Sequence, residues 1–69
     1  MSAAVVIRRT RGSRGVAAVE LAGRQIGWTR RHEDGWASRS LTADEYPPAR
    51  YRTAQEAGDA LARELEAGA

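Results

Sequence analysis

The segment QIGWTRRHEDGWASRSL, residues 25–41, decides the fold. Asp34-Gly35 stands between two stretches with strand-like alternation, and an Asp-Gly pair in that setting favours a type I′ hairpin turn. We therefore predict two antiparallel strands, Gln25–His32 and Trp36–Leu41.

The preceding residues extend this sheet. Val16–Leu21 alternates as a strand, and Ala22-Gly23-Arg24 is a plausible three-residue loop into the next one. Residues 3–10 hold the β-branched run Val5-Val6-Ile7 and are expected to be an edge strand or a flexible arm. The glycines in residues 11–15 favour a turn that separates these two segments.

A helix is predicted over residues 54–67. Thr53 and Glu56 fit a capping box, in which Thr53 accepts from the N–H of Glu56 and the Glu56 carboxylate bonds the N–H of Thr53. Gly68 is expected to end the helix. The connection over residues 42–52 contains Pro47-Pro48, which excludes a central strand.

Apolar residues recur at helical spacing along one face of this helix, and Gly58 lies close beside them. We expect Gly58 to let a tryptophan ring approach the helix backbone. The apolar residues are Ala54, Ala57, Leu61 and Leu65.

These elements predict an α+β fold: a three- (possibly four-) stranded antiparallel β-meander packed on one C-terminal α-helix. Residues 1–69 are expected to form a single small domain, with residues 1–10 as edge strand or arm. A chain of this length has only a thin core, which leaves little room for a deep pocket.

Composition narrows the classes of function. All 11 basic residues are arginines, against 9 acids, and cysteine is absent, which excludes disulfides and thiolate metal sites. The apolar run Ala3–Ile7 is far shorter than the roughly 20 residues that span a membrane. In a signal peptide the basic residues precede the apolar run, whereas here they follow it. We therefore expect a cytoplasmic protein without a membrane partner.

Catalysis finds little support. His32, Glu33 and Asp34 are either a metal or acid–base cluster or a solvated turn chosen for its geometry, and the opposite orientation of adjacent strand residues favours the turn. We expect no enzyme activity, no metal site and no cofactor.

The arginines point instead to an anionic partner, because ten of them precede the helix segment. Turn residues 11–15 are either a basic hairpin tip or a phosphate-binding loop of backbone N–H groups and guanidinium groups. The predicted nucleic-acid contacts are Arg8, Arg9, Arg11 and Arg14 for electrostatic positioning, and Arg24, Arg31 and Arg39 for groove or phosphate contacts.

The two tryptophans, Trp28 and Trp36, flank the predicted turn and could pair across the hairpin, with at least one in the core. If Trp36 faces the helix, we expect Arg39 to join Gln25, Thr29 and Arg31 on the exposed sheet face. A tryptophan on that face would form a stacking or cation–π surface.

Residues 34–39, DGWASR, together with residues 51–57, YRTAQEA, and Leu61 resemble a known DNA-binding pattern over residues 16–66. It occurs in the arm-binding N-terminal domains of phage tyrosine integrases and in plant ethylene-response-factor domains. The resemblance implies three strands on one helix, with the sheet in the DNA major groove. It assigns DNA contact to Arg24, Arg31, Arg39 and either tryptophan.

Two functions follow as hypotheses. The first is a small nucleic-acid-binding module, with DNA the favoured ligand, acting as a phage or plasmid accessory or regulatory factor. The alternative is a protein-interaction module, in which the apolar edge in residues 3–10 adds to a host protein or forms a homodimer.

Overall fold

The computed structural model describes residues 4–9 and 14–68, and these form four strands followed by a helix. The elements are β1 (Val5–Arg9), β2 (Val16–Leu21), β3 (Arg24–His32), β4 (Gly35–Ser40) and α1 (Ala54–Ala67). The strands pair antiparallel in chain order, so β1 lies at an edge of the sheet. The predicted α+β meander on a C-terminal helix is confirmed, with residues 5–9 as its fourth, edge strand.

The β2–β3 turn is shorter than predicted. Ala22 and Gly23 have φ values of 52° and 79°, the combination that a two-residue type I′ turn requires. Arg24 is already paired with Leu21. The predicted three-residue loop was therefore wrong, because Ala22 as well as Gly23 adopts the left-handed conformation and these two residues alone complete the turn.

The β3–β4 turn also differs from the prediction. It is centred on Glu33-Asp34, neither of which has a positive φ, while Gly35 already pairs with His32 at φ 135°. Tyr51 passes close to this point, and a Cβ on Gly35 would lie 2.7 Å from its carbonyl oxygen. The predicted type I′ turn at Asp34-Gly35 was therefore wrong, because the turn lies one residue earlier. Gly35 instead makes room for the chain that passes at Tyr51.

The N-terminus of α1 is capped by Thr53, as predicted. Its Oγ1 accepts from the N–H of Glu56 at 3.1 Å, but the Glu56 carboxylate accepts from Arg52 N–H at 3.2 Å rather than from Thr53. At the other end Gly68 has φ −86°, so the helix ends there without a left-handed residue, and its N–H donates to Glu64 O at 3.0 Å.

Glycines set the distance between α1 and the sheet. A Cβ on Gly58 would lie 2.6 Å from Ile7 Cδ1 and 3.4 Å from Val19 Cγ1. Gly58 therefore admits aliphatic groups of β1 and β2, and the predicted tryptophan contact was wrong. On β3, a Cβ on Gly27 would lie 2.0 Å from the Arg39 carbonyl oxygen and 2.7 Å from Leu61 Cδ2.

The core between sheet and helix is thin. Leu61 is buried, whereas Leu65, one turn further on, is 41% exposed. The other buried positions in this layer are small or β-branched, namely Ala17, Val19, Gly27, Thr29, Ala57, Gly58, Ala60 and Ala62. Such a core depends on close approach of backbones rather than on large side chains.

We predict that Gly27→Ala destabilises the fold by about 3 kcal/mol or more, because the new methyl overlaps a carbonyl oxygen that the sheet holds in place. Urea denaturation followed by circular dichroism measures the change in the free energy of unfolding. Gly68→Ala is the matched control, since its Cβ would meet nothing closer than 3.4 Å. Equal stability of Gly27→Ala and the wild type would contradict this packing.

Candidate functional site

The register assigns each strand residue to one of two sides. Ile7 pairs with Val19 and Val19 with Gly27, and all three lie against α1. Their sequence neighbours point the other way, to a side that we call the outer face. The outer face consists of Val6, Arg8, Val16, Ala18, Glu20, Trp28, Arg30, His32, Ala37 and Arg39.

One row of this face crosses the whole sheet. Arg8 pairs with Ala18, Ala18 with Trp28, and Trp28 with Arg39. Arg30 is exposed and lies on the same side two residues along β3, about 6.7 Å from Trp28 between Cα atoms. Trp28 therefore shares this face with three arginines, of which Arg39 contacts the indole directly.

Arg39 is fixed against aromatic rings. Its guanidinium carbon lies 4.3 Å from the ring centroid of Trp28 and 5.4 Å from that of Tyr46, both within cation–π range. Nη1 donates to the carbonyl oxygen of Ala43 at 2.6 Å. Arg39 therefore holds one side of Trp28 and ties the connection after β4 to the outer face.

The opposite side of Trp28 is open by comparison. Its neighbour on β2 is Ala18, whose methyl group is far shorter than the indole. Beyond it, Arg8 Nε forms an ion pair of 2.7 Å with Glu20, and the Arg8 side chain remains 70% exposed. The outer face thus combines a half-buried aromatic ring, a small side chain next to it and an exposed guanidinium group.

The predicted contact residues do not form one surface. Arg31 pairs with Trp36 and lies on the α1 side, whereas Arg39 pairs with Trp28 on the outer face. Thr29, expected to be exposed, is fully buried, and its Oγ1 has no hydrogen-bond partner among the described residues. The predicted face containing both Arg31 and Arg39 was therefore wrong, as was the pairing of Trp28 with Trp36.

The remaining predicted arginines are spread around the sheet. Arg8 belongs to the outer face, whereas Arg9 and Arg14 line a cavity on the α1 side. Arg24 follows the β2–β3 turn and borders a groove formed mainly by Leu21, Ile26, Leu41 and Leu65. Arg11 lies outside the described residues.

His32 is not a solvated turn residue. It is half-buried at the end of β3, and its ring meets Tyr46 edge-on, with 5.8 Å between centroids. Its Nε2 is buried without a hydrogen-bond partner among the described residues. Within residues 4–9 and 14–68, no group of three or more potential ligands is arranged to hold a metal ion.

Arg30 and Tyr46 are the site residues that the sequence predictions missed. Arg30 has the same strand parity as Trp28, so alternation along β3 was a sufficient signal for it. Tyr46 lies in the connection between β4 and α1, and no local pattern predicts that it covers Arg39.

The chain matches no protein-family model, and comparisons with curated proteins and with solved structures likewise return no match. No helix in the described part of the chain has the length and apolar character needed to cross a membrane.

The connection that carries Tyr46 is anchored to the β3–β4 turn. Arg50 Nε donates to Asp34 Oδ1 at 2.8 Å, and Arg50 Nη1 donates to the carbonyl oxygen of Pro47 at 2.9 Å. The hydrogen bond from Arg50 holds the pKa of Asp34 below its ordinary value. This pair contributes stability above the unfolded-state pKa and loses it as pH falls through the folded-state pKa.

We predict that Arg50→Gln raises the pKa of Asp34 towards its ordinary value, because the charged donor is removed. Titration of the Asp34 side-chain carboxyl carbon by NMR measures the shift. Arg63→Gln, a substitution on the exposed side of α1, is expected to leave this pKa in place. An unchanged titration in Arg50→Gln would mean that the ion pair does not hold the connection in solution.

Proposed function

We propose that the outer face binds single-stranded nucleic acid, with a base beside Trp28 and phosphates at Arg8 and Arg30. The row Arg8–Ala18–Trp28–Arg39 is the observation that supports this function most directly. Aromatic side chains within a positively charged surface are the usual basis of single-strand binding without strict sequence preference.

The geometry favours stacking over groove reading. The major-groove mode implied by the resemblance to integrase and ethylene-response-factor domains needs Arg31 and Arg39 on one face, and their registers place them on opposite faces. On the outer face, Ala18 leaves space for a planar base next to the indole. A phosphate at Arg8 competes with Glu20. The Arg8–Glu20 interaction is a surface ion pair of small net stability.

Charge sets the expected strength and salt dependence. Arg8, Arg30 and Arg39 are the arginines of this face, and each phosphate neutralised on a single strand contributes about 0.7 to the salt slope. The two phosphate contacts proposed at Arg8 and Arg30 give a slope of about −1.4, which corresponds to a roughly 7-fold loss of affinity between 50 and 200 mM salt. A small module of this kind binds weakly and reversibly.

We predict that Trp28→Leu weakens binding of a labelled 12-nucleotide strand by roughly 5- to 150-fold, because stacking contributes about 1–3 kcal/mol per base. Arg30→Gln is expected to lower the salt slope by about 0.7. Fluorescence anisotropy at several salt concentrations measures both.

Arg63→Gln is the matched control for these variants, since it removes the same charge from the helix, away from the outer face. No binding at 50 mM salt, or an equal loss in Arg63→Gln and Arg30→Gln, would contradict the proposal. Equal affinity for a duplex of the same sequence would favour groove binding instead.

A second candidate function is self-association through β1, supported by its position at the sheet edge and by Val6, which is 49% exposed. Two copies can pair antiparallel about a twofold axis at Ile7. Val6 then faces Arg8 of the second copy, and Val5 faces Arg9, so that no two arginines lie directly opposite each other. Shifting the axis to Arg8 would place those like charges together.

We predict that Val6→Lys abolishes the dimer, because the new charge faces an arginine of the other copy. Within one copy the same lysine lies opposite Glu20, a favourable pair, so the fold is retained. Val6→Glu has the reverse effects and strengthens the dimer. Sedimentation equilibrium measures both, and a wild-type chain that stays monomeric at millimolar concentration would exclude this function.

A further inference from the structure

A cavity of about 290 Å³ lies on the α1 side of the sheet, where the helix begins. It is bounded by strand residues from β1, β2 and β4 and by the first residue of the helix. Its principal lining residues are Ile7, Arg9, Arg14, Ala17, Trp36 and Ala54. The sheet separates this cavity from the outer face, so it is a different site from the one proposed for nucleic acid.

The charged side chains that line the cavity, Arg9 and Arg14, are both positive. The ion pairs recorded in the described part of the chain engage other arginines, Arg8 and Arg50. The guanidinium groups of Arg9 and Arg14 are therefore available to an external anion. Planar guanidinium groups form paired, charge-assisted hydrogen bonds that suit phosphate oxygens.

The rim of the cavity is held in position by backbone contacts. Gly15 has φ 69°, and its carbonyl oxygen accepts from Arg31 N–H at 2.7 Å. A Cβ at Gly15 would lie 3.3 Å from Arg31 Cβ. These contacts fix the chain next to Arg14. They also place Arg31, which pairs with Trp36, at the same end of the sheet.

Trp36 provides an aromatic wall, and Ile7 and Ala17 provide apolar walls. The volume is at the lower limit of small-ligand pockets, which begin at about 300 Å³, and suits one small ring-bearing molecule rather than a polymer. The combination of two guanidinium groups with an indole matches a phosphate attached to a planar ring.

We infer that this cavity binds an organic phosphate of mononucleotide size, with its phosphate on Arg9 and Arg14 and its ring against Trp36. The same chemistry is presented by a free nucleoside monophosphate and by the 5′-terminal nucleotide of a phosphorylated strand. Either source uses the same residues.

The test starts from Trp28→Phe, which leaves Trp36 as the only tryptophan fluorophore of the chain. Titration with AMP is expected to quench it saturably. Adenosine, which lacks the phosphate, and inorganic phosphate, which lacks the ring, are expected to bind at least about tenfold more weakly. Absence of saturable quenching by AMP would overturn the inference.

Variants locate the binding. In the Trp28→Phe background, Arg9→Gln and Arg14→Gln are each expected to raise the Kd for AMP about tenfold or more, while the control Arg63→Gln leaves it unchanged. Far-ultraviolet circular dichroism confirms that each variant is folded. An unchanged Kd in both pocket variants would overturn the inference.

Two further arms separate this site from the outer face and identify the ligand source. Arg30→Gln is expected to weaken binding of a 5′-hydroxyl oligonucleotide and to leave AMP binding intact, whereas an equal effect on AMP would refute a separate site. If a 5′-phosphorylated strand competes with AMP and its 5′-hydroxyl counterpart does not, the ligand is a strand terminus. If neither competes while AMP binds, the ligand is a free mononucleotide.

Discussion

The close contact of α1 with β1 and β2 at Gly58 is the constraint on which the rest of the structure depends. With no side chain at this position, Ile7 Cδ1 and Val19 Cγ1 reach the helix backbone, and a Cβ there would lie only 2.6 Å from the former. Once Ile7 and Val19 face the helix, their neighbours Arg8 and Ala18 must face away from it. The placement of charge on the outer face is thus a consequence of how the helix packs.

A single helix covers a single side of the sheet, and the connection between β4 and α1 covers only part of the other. Tyr46 and Arg39 lie over the β4 end of the outer face, where Ala37 is fully buried even though α1 is on the opposite side. Arg50 joins this connection to the β3–β4 turn through Asp34, and it also donates to the Pro47 carbonyl oxygen within the connection. The outer face is therefore shielded at β4 and open towards β1, and this asymmetry leaves Trp28 at the boundary.

Local sequence signals were enough to predict much of the fold. Predicting which side chains share the outer face required the register between paired strands. Thr53 and Glu56 act within one turn of helix, so the start of α1 was predictable. The error over Arg31 and Arg39 came from the hairpin. A two-residue turn pairs odd-numbered with even-numbered residues here, as His32 with Gly35 shows, so Arg39 had to share a face with Trp28 and Arg30. Contacts that join distant segments, such as Tyr46 over Arg39, have no comparable local signature.

The edge strand β1 links the outer face to the cavity, because its adjacent residues Arg8 and Arg9 point to opposite sides of the sheet. One route by which the 5′ end of a strand bound on the outer face would reach the cavity passes around this edge. Pairing of two copies through β1 would close that route and join the two outer faces, with the Trp28 residues about 24 Å apart across five strand spacings. Of the proposed functions, self-association and capture of a strand end would therefore compete for one edge, whereas self-association and binding along the outer face would reinforce each other.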